Sequence, residues 1–571
     1  MHQPEIKPLS SSYHQYKVHP FQRPPELDGK KDRHAVAIVG AGPIGIVLAI
    51  QLAQQGTRSV LIESEAQVSG GSRALAMTRR TMEIMEQCGV AESFLKDALI
   101  WGAGRSYYRN RVVHELDIPF EPDDKFGMTN LGQCVIEDYL VTRAETLGVE
   151  IRWQTRVTGM QEDGSGVRLQ LDTPEAEYEL QADWVVACDG ARSTVRKLQG
   201  LRFEGNSYES RFVIADFHSK LAEPAGRRCY FDPPWLPGHS VLMHKAPAEI
   251  WRLDYQVPAE ISDEDALDRT RIGKQIDAHM KYIGCDEPWE FEWVTLYKPN
   301  TLTLANYVHG HVIYCGDAAH LLPVFGVRGM NTGVQDAINL GWKLAAVAQG
   351  RAGSALLETY SAERVADARQ ICFEAGRSTR MMAPPTRGFR ILQQAVLSLA
   401  QDQEFVRGLL HWRTSHPIDY AASPLTQVDE TESRFNGGPR PGAPARNVQA
   451  RVEGRDGHLM DVMGPGFHVF VFGNDSRLWA AAVDDVQVLR SQGVAIKLIV
   501  VQREGQGARP EGCDALAIDT TGRAHERWGV AGMDGAVYVM RPDQHVASRW
   551  GSGSTRRVRD VVQHQWLKEV A

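Results

Sequence analysis

The eight cysteines of this 571-residue chain (Cys88, Cys134, Cys188, Cys229, Cys285, Cys315, Cys372 and Cys513) form no C-x-x-C pair and no metal-ligand spacing. A thiol redox motif and a zinc scaffold are thereby excluded, and no metal site is expected. Excess charge is equally scarce: 63 Lys plus Arg stand against 71 Asp plus Glu, a formal charge of −8. Nucleic acid and anionic membrane both select a basic face, so neither is expected as a partner and a small molecule is. No apolar run approaches the about 18 residues that a membrane span needs. The start, MHQPEIKPLSSSYHQYKVHPFQRPPELDGKKDRH, lacks the apolar centre of a signal peptide. A cytoplasmic protein with reduced thiols is the expectation.

What is present is an ordinary globular composition, 43% hydrophobic and 23% charged, long enough for about three or four domains. Residues 1–33 have no periodicity and read as an arm on the surface or around a neighbour. From His34 the pattern changes: AVAIVG is an apolar run, GAGPIGIVLAIQLAQQG a turn into an apolar helix, and RSVLIE a second apolar run, together a βαβ unit. DWVVACDG and HVIYCGDAAH are later runs that end in Gly/Asp turns. Between them RFVIADF, SVLMHK and IWRLDYQVP alternate as a half-buried antiparallel sheet does. Residues 376–415 read as helical, 416–447 as a Pro/Gly-rich linker, and 448–571 as a separate α/β module.

Gly40, Gly42 and Gly45 spell G-x-G-x-x-G between a strand and a helix, the context a dinucleotide fingerprint requires. The first glycine permits the turn, the second admits a pyrophosphate, and the third lets helix and strand pack closely. Glu63 ends the second strand, where a carboxylate accepts from a ribose diol and repels a 2′-phosphate, which disfavours NADP in this site. The motif alone leaves FAD and NAD open. GSGSTR at 551–556 precedes no βαβ unit, so one resident dinucleotide is expected.

GAGPIGIVLAIQLAQQG, GSRALAMTRRTMEIMEQCGV, CDGARSTVRKL and YCGDAAHLLPVFGVRGMNTGVQDAINLGWKL occur in the order found in class A flavoprotein aromatic monooxygenases. Over residues 34–375 the chain resembles the para-hydroxybenzoate and phenol hydroxylase group, and most closely the 3-(3-hydroxyphenyl)propionate hydroxylase branch. The resemblance implies an α/β fold: a Rossmann-like FAD-binding domain of the GR2 type (34–103, 128–204 and 301–375), an inserted antiparallel-sheet substrate domain (104–127 and 205–300), and a thioredoxin-like C-terminal domain without C-x-x-C. It implies resident FAD, transient NADH or NADPH, O₂ and a small aromatic substrate as partners, a homodimer, and hydroxylation through a peroxyflavin. Carried over by position, Gly40, Gly42, Pro43, Ile44 and Gly45 would form the phosphate turn. Glu63 would hold the FAD ribose, Arg73 and Gln133 the pyrophosphate and ribityl chain, and the Val157 backbone the adenine. Asp189 and Arg192 would form a second nucleotide motif, and Asp317 would bind a ribityl hydroxyl, with helix capping as its alternative. The N–H groups of Gly329, Met330 and Asn331 would receive the flavin pyrimidine edge at a helix start, although Val327 and Arg328 replace the Gly and Gln of many relatives.

On the substrate side, alternation in SVLMHKAPAEIWRLDYQVP separates Trp251, Leu253 and Tyr255 from Arg252, Asp254 and Gln256. By resemblance, Arg252 senses the flavin, His244 and Asp254 face substrate, and the carboxylate-binding arginine of the family falls on Ala246. His244 is expected to draw a proton from a phenol near neutral pH, a surface imidazole being the alternative. Pro323 is expected to wall the reacting face against water. Two competing readings are a flavin oxidoreductase that acts on a non-phenol or inserts no oxygen, and a flavin-binding regulatory protein.

Overall fold

The computed structural model describes all residues except 31, 119, 120, 122, 411–415, 507, 508 and 568–571. Small parts of the expected arm, substrate segment, helical segment and C-terminal module thus lie outside the described residues. Strand β1 (Arg33–Val39), helix α1 (Pro43–Gln54) and strand β2 (Ser59–Ile62) open the body, followed by helix α2 (Gln133–Thr146) and strand β3 (Glu177–Ala187). A second sheet is then built from β4 (Arg211–His218), β5 (Arg227–Phe231), β6 (Ser240–Lys245), β7 (Ile250–Val257) and β8 (Glu290–Tyr297). Strand β9 (Val312–Tyr314) and helix α3 (Gly329–Ala348) return the chain to the first sheet.

In the first sheet β9, β3, β1, β2 and the strand Glu150–Arg152 run parallel in that order. The apolar, buried runs VAIV of β1, VLI of β2, WVVA of β3 and VIY of β9 suit strands covered on both faces. Helix α1 buries every residue from Gly45 to Leu52 because it is wedged between that sheet and α3. The chain therefore passes from β1 into α1 at the point where the sheet order reverses, which is where open α/β sheets hold ligands.

The second sheet has the order β8, β4, β7, β6, β5, then strands Ala103–Tyr108 and Arg111–Asp117. Pairing is antiparallel except between β5 and Ala103–Tyr108. Alternation decides its faces. Val213, Phe217, Trp251, Leu253 and Tyr255 build a core with the helix Arg269–Tyr282. On the opposite face Phe212, Phe231 and Leu242 meet Phe325 and Met382 of the first body. The register pairs Arg227 with His244, His244 with Arg252 and Leu242 with Asp254, so these polar side chains share that inward face.

A seven-stranded C-terminal sheet centres on Phe467–Gly473 and packs through Phe467, Val469 and Val537 onto Trp342 and Ala346 of α3. A buried ionic network reinforces the seam: Glu363 accepts from Lys343 Nζ at 2.7 Å and Arg541 Nη1 at 2.8 Å, and Asp543 accepts from Trp342 Nε1 at 3.2 Å. The stretch 416–447, expected as a linker, connects the helical segment to this sheet. It is irregular, as its Pro and Gly content implies, but Leu425, Phe435 and Ala445 are core residues and Gln427 N donates to Ala547 O at 2.9 Å. Among the described residues no helix is long and apolar enough to cross a membrane.

Candidate functional site

The glycines at the start of α1 have the separate steric duties that their spacing implies. Gly40 has φ +103, and a Cβ there would stand 2.6 Å from Cys188 O. A Cβ on Gly45 would be driven into the Gly40 carbonyl, whereas one on Gly42 meets nothing, so the turn is open on that side. Pro43 begins the helix, and Ile44 reaches across to Gly316 and Gly333, joining the turn to the Gly316–Asp317 loop and to α3. Glu63 accepts from Ala41 N at 2.7 Å and Glu65 N at 2.9 Å, which sets its carboxylate beside the turn. Burial raises its pKa.

Asp317 follows β9 and faces Arg73 and His320. Burial raises its pKa even though the Arg73 guanidinium beside it opposes the shift. Both Glu63 and Asp317 are hemmed in yet keep solvent contact, as residues on the wall of a cleft do. The Asp317 loop is fastened from behind by Asp336 of α3, which accepts from Gly316 N at 3.1 Å, His320 Nε2 at 2.6 Å and Arg364 Nε at 2.6 Å. Burial works against the Asp336 carboxylate, but Arg364 and His320 outweigh it and hold its pKa below the usual range.

Helix α3 starts without a side-chain cap, so Gly329, Met330 and Asn331 have N–H groups with no intrahelical acceptor. The Asn331 side chain is otherwise engaged: its Oδ1 accepts from Thr78 N at 2.8 Å and its Nδ2 donates to Ala76 O at 2.9 Å. Before the helix, Val327 sits at φ +60, a conformation costly for a β-branched residue. Pro323 is buried in the same loop, whose Val324 N donates to Tyr297 OH of β8 at 3.0 Å.

Gln133, first residue of α2, accepts from Ala74 N at 3.0 Å and donates to Glu137 at 2.8 Å, so it fixes the loop that carries Arg73. Val157 lies just beyond Thr155, which donates its N–H to Glu63 O at 2.8 Å. Asp189 abuts Gly40 and spends one oxygen on Thr194 N at 2.7 Å and Val195 N at 3.1 Å; its other oxygen is buried with no partner among the described residues. Arg192 is exposed and joins none of the other predicted residues in the described contacts.

Opposite stands the inward face of the second sheet. Arg252 Nε donates to Asp216 at 2.7 Å, and its Nη groups reach the carbonyls of Ser72 and Arg73. Asp254 is buried, one oxygen has no partner among the described residues, and burial lifts its pKa to about 7 despite Arg252 and Arg227. Burial, then Arg227, Arg252 and Arg228, push the pKa of His244 well below 6.5, so this environment opposes a charge on the imidazole. Sequence reasoning missed Arg227, buried beside His244 and close enough to lower the pKa of Arg328. Its only signal was a charge inside the apolar strand RRCYF. Asp336 had a similar one, a carboxylate on the buried side of the helix INLGWKL.

A turn open on one side, the Glu63 carboxylate beside it, Arg73 near Asp317 and an uncapped helix N-terminus are groups of the kind that could bind a dinucleotide. Residues 33–375 match the family model described as FAD binding domain. A 3-(3-hydroxy-phenyl)propionate/3-hydroxycinnamic acid hydroxylase of Mycolicibacterium smegmatis is 28% identical over 451 residues, 77% of this chain and 77% of that protein. A 12-dehydrotetracycline 5-monooxygenase/anhydrotetracycline 6-monooxygenase of Streptomyces rimosus is 31% identical over 403 residues, 66% of this chain and 76% of that protein. Among solved structures, the flavin-dependent monooxygenase PieE in complex with FAD and substrate has a TM-score of 0.77 at 23% identity over 94% of this chain and 100% of that one, a likeness of fold.

Proposed function

This chain belongs to the FAD binding domain family, and from that premise we propose that it is a single-component monooxygenase that spends NADH or NADPH and O₂ to hydroxylate a phenolic aromatic ring. The observation that carries this reading is Asp254: a buried carboxyl with its pKa raised to about 7, on the same sheet face as Arg252, whose guanidinium reaches the carbonyls of Ser72 and Arg73. Gly40, Gly42 and Gly45 with Glu63, Arg73, Asp317 and the α3 N-terminus would hold FAD. Bound there, FAD supplies hydride acceptance from the nicotinamide and activation of O₂ toward the ring. The protein does the rest. Asp254 takes the phenolic proton, which makes the ring electron-rich. Neutral His244 offers a hydrogen bond to the same oxygen, and Arg227 gives a cation to an acidic substituent such as the propionate in the name of the Mycolicibacterium relative. Arg252, tied to Asp216 and to loop 72–73, reports between the sheet and the cofactor loop. Pro323, Phe325 and Leu242 exclude water.

We further read the second sheet as the inserted substrate domain and the C-terminal unit as a thioredoxin-like fold that lacks thiol chemistry. A homodimer fits the exposed apolar residues Ile391, Leu392, Leu399 and Phe405. The 31% identity to a tetracycline-pathway monooxygenase supports a second substrate class, polycyclic phenols. The test is a panel of monocyclic and polycyclic phenols with the purified holoenzyme, counting NAD(P)H consumed, product and peroxide. Substrate-stimulated consumption with matching product is expected; no stimulation by any phenol, or peroxide alone, would sink the reading.

A further inference from the structure

Residues 1–24 precede the family match, yet they follow a defined course along the body. His2 Nε2 bonds Ser64 O at 2.6 Å, His19 N donates to Ala66 O at 2.7 Å, and the His19 ring stacks on Trp153 at 4.1 Å. Between these anchors the arm crosses loop 69–74, which carries Arg73. Leu9 packs on Gly70, and Gly71 N donates to Tyr16 OH at 2.9 Å. On its other side Gly71, at φ +74, is so close to Trp293 of β8 that a Cβ would collide with the indole. Tyr13 stands at the junction of three parts. Its hydroxyl is 3.4 Å from Cys134 Sγ of α2, its ring packs with Leu75 of the first body, and the same cluster contains Ala246 and Ile250 of the hairpin β6–β7. Ala246 is the position where the resembled family carries an arginine, and the small side chain leaves room for this ring. Ser12 completes the bridge, its N–H donating to Glu292 of β8 at 2.9 Å.

We propose that the arm is an internal strap of the cofactor site, with Tyr16 and Tyr13 as positioning residues that hold loop 69–74 and Arg73 against the FAD cleft and lock that loop to the substrate-facing sheet. The proposal rests on the FAD reading above. Irregular chain gains no stability from its own backbone ladder, so an arm this closely bonded is held by what it fastens. The loop is also tied from the two bodies that the arm spans: Arg252 donates to the Ser72 and Arg73 carbonyls from the sheet, while Gln133 accepts from Ala74 N and donates its N–H to Ser72 Oγ, and Glu137 accepts from Ser69 N, on the α2 side. Removing the arm contacts leaves the loop with ties that move independently.

The test compares the full-length parent with Tyr16→Phe, which keeps the ring and removes only the acceptor, with Tyr13→Ala, and with Ile6→Ala on an exposed stretch of the arm as control. FAD titrated into each apoprotein by fluorescence quenching is expected to bind about fivefold more weakly in Tyr16→Phe, the size of one lost hydrogen bond. Tyr13→Ala is expected to lower the ratio of product to NAD(P)H consumed at saturating FAD. Apoprotein melting temperatures should stay within about 2 °C of the parent, since loop position and not global stability is at issue. FAD affinity and coupling unchanged in both variants, or changed only in step with melting temperature, would overturn the strap alone. A parent that binds no FAD would overturn the flavin reading and the strap with it.

Discussion

Replacing Asp254 with Asn separates the proposed chemistry from stability in one variant. The carboxyl is 7% exposed and its pKa is raised from 3.8 to about 7, chiefly by burial. In the unfolded chain the group ionises near pH 4, whereas in the folded protein it keeps its proton until about pH 7. Between those values the folded state binds more protons, so the contribution of Asp254 to stability falls as pH rises from about 4 to about 7 and stays at its low level above. At about 1.4 kcal/mol per pH unit, ionised Asp254 costs the folded state at most about 4 kcal/mol at pH 8. Asn removes that cost. Asp254→Asn is therefore expected to melt higher than the parent at pH 8 and almost alike at about pH 4, while product formation drops by about 10² or more, the usual loss with a general base. The parent should gain about tenfold in kcat/KM from pH 6 to 8 as the carboxylate fraction rises. His244, held neutral across this range, adds no inflection. Fluorimetry in a pH series and steady-state product assays read both effects. A variant less stable at pH 8, or one that keeps the inflection near 7, would refute the assignment.

Gly45→Ala should give soluble protein without the flavin absorption band, because the new Cβ meets the Gly40 carbonyl at the turn; full FAD retention would contradict this. Val327→Gly removes a strained φ of +60 worth about 1–3 kcal/mol and adds chain entropy of about 0.5–1. A net gain in denaturant midpoint is expected, and a loss would deny the strain. Arg541→Met leaves Asp543 buried without the guanidinium that pairs it and Glu363 with Lys343 alone, which should cost about 3–5 kcal/mol in urea unfolding; a cost under about 1 kcal/mol would mean that water replaces the pair.

The parts legible in the sequence are those whose signal is local. Gly40 and Gly45 are dictated by collisions within one turn, and the spacing alone conveys them. The alternation of Trp251, Leu253 and Tyr255 against Arg252 and Asp254 likewise told which face is apolar core. Composition reported the irregular backbone of 416–447 faithfully but not its burial, since Phe435 and Ala445 are fixed by strands distant in the chain. Residues 1–33 have no period at all, and their partners Gly71, Cys134 and Glu292 are chosen by tertiary contact. Asp336, Arg364 and His320 were missed for the same reason, because a polar cluster assembled from α3, the helix Ala355–Met382 and a loop has no spacing.

His244 and Asp254 show where residue type misleads most. An imidazole has the intrinsic pKa nearest neutrality and a carboxylate does not, so the side chains considered singly favour His244 as the proton acceptor. The sheet register reverses that order. It seats His244 directly between Arg227 and Arg252, where a second positive charge is repelled, and it buries Asp254 two residues along β7, where burial outweighs those same arginines. One set of cations, in one register, thus removes the histidine from the neutral range and leaves the aspartate in it. A shift of β6 against β7 by one residue would turn His244 to the opposite face from Arg252 and Asp254. The chemistry of this wall is therefore a property of strand pairing, and it becomes visible only when β5, β6 and β7 are in place.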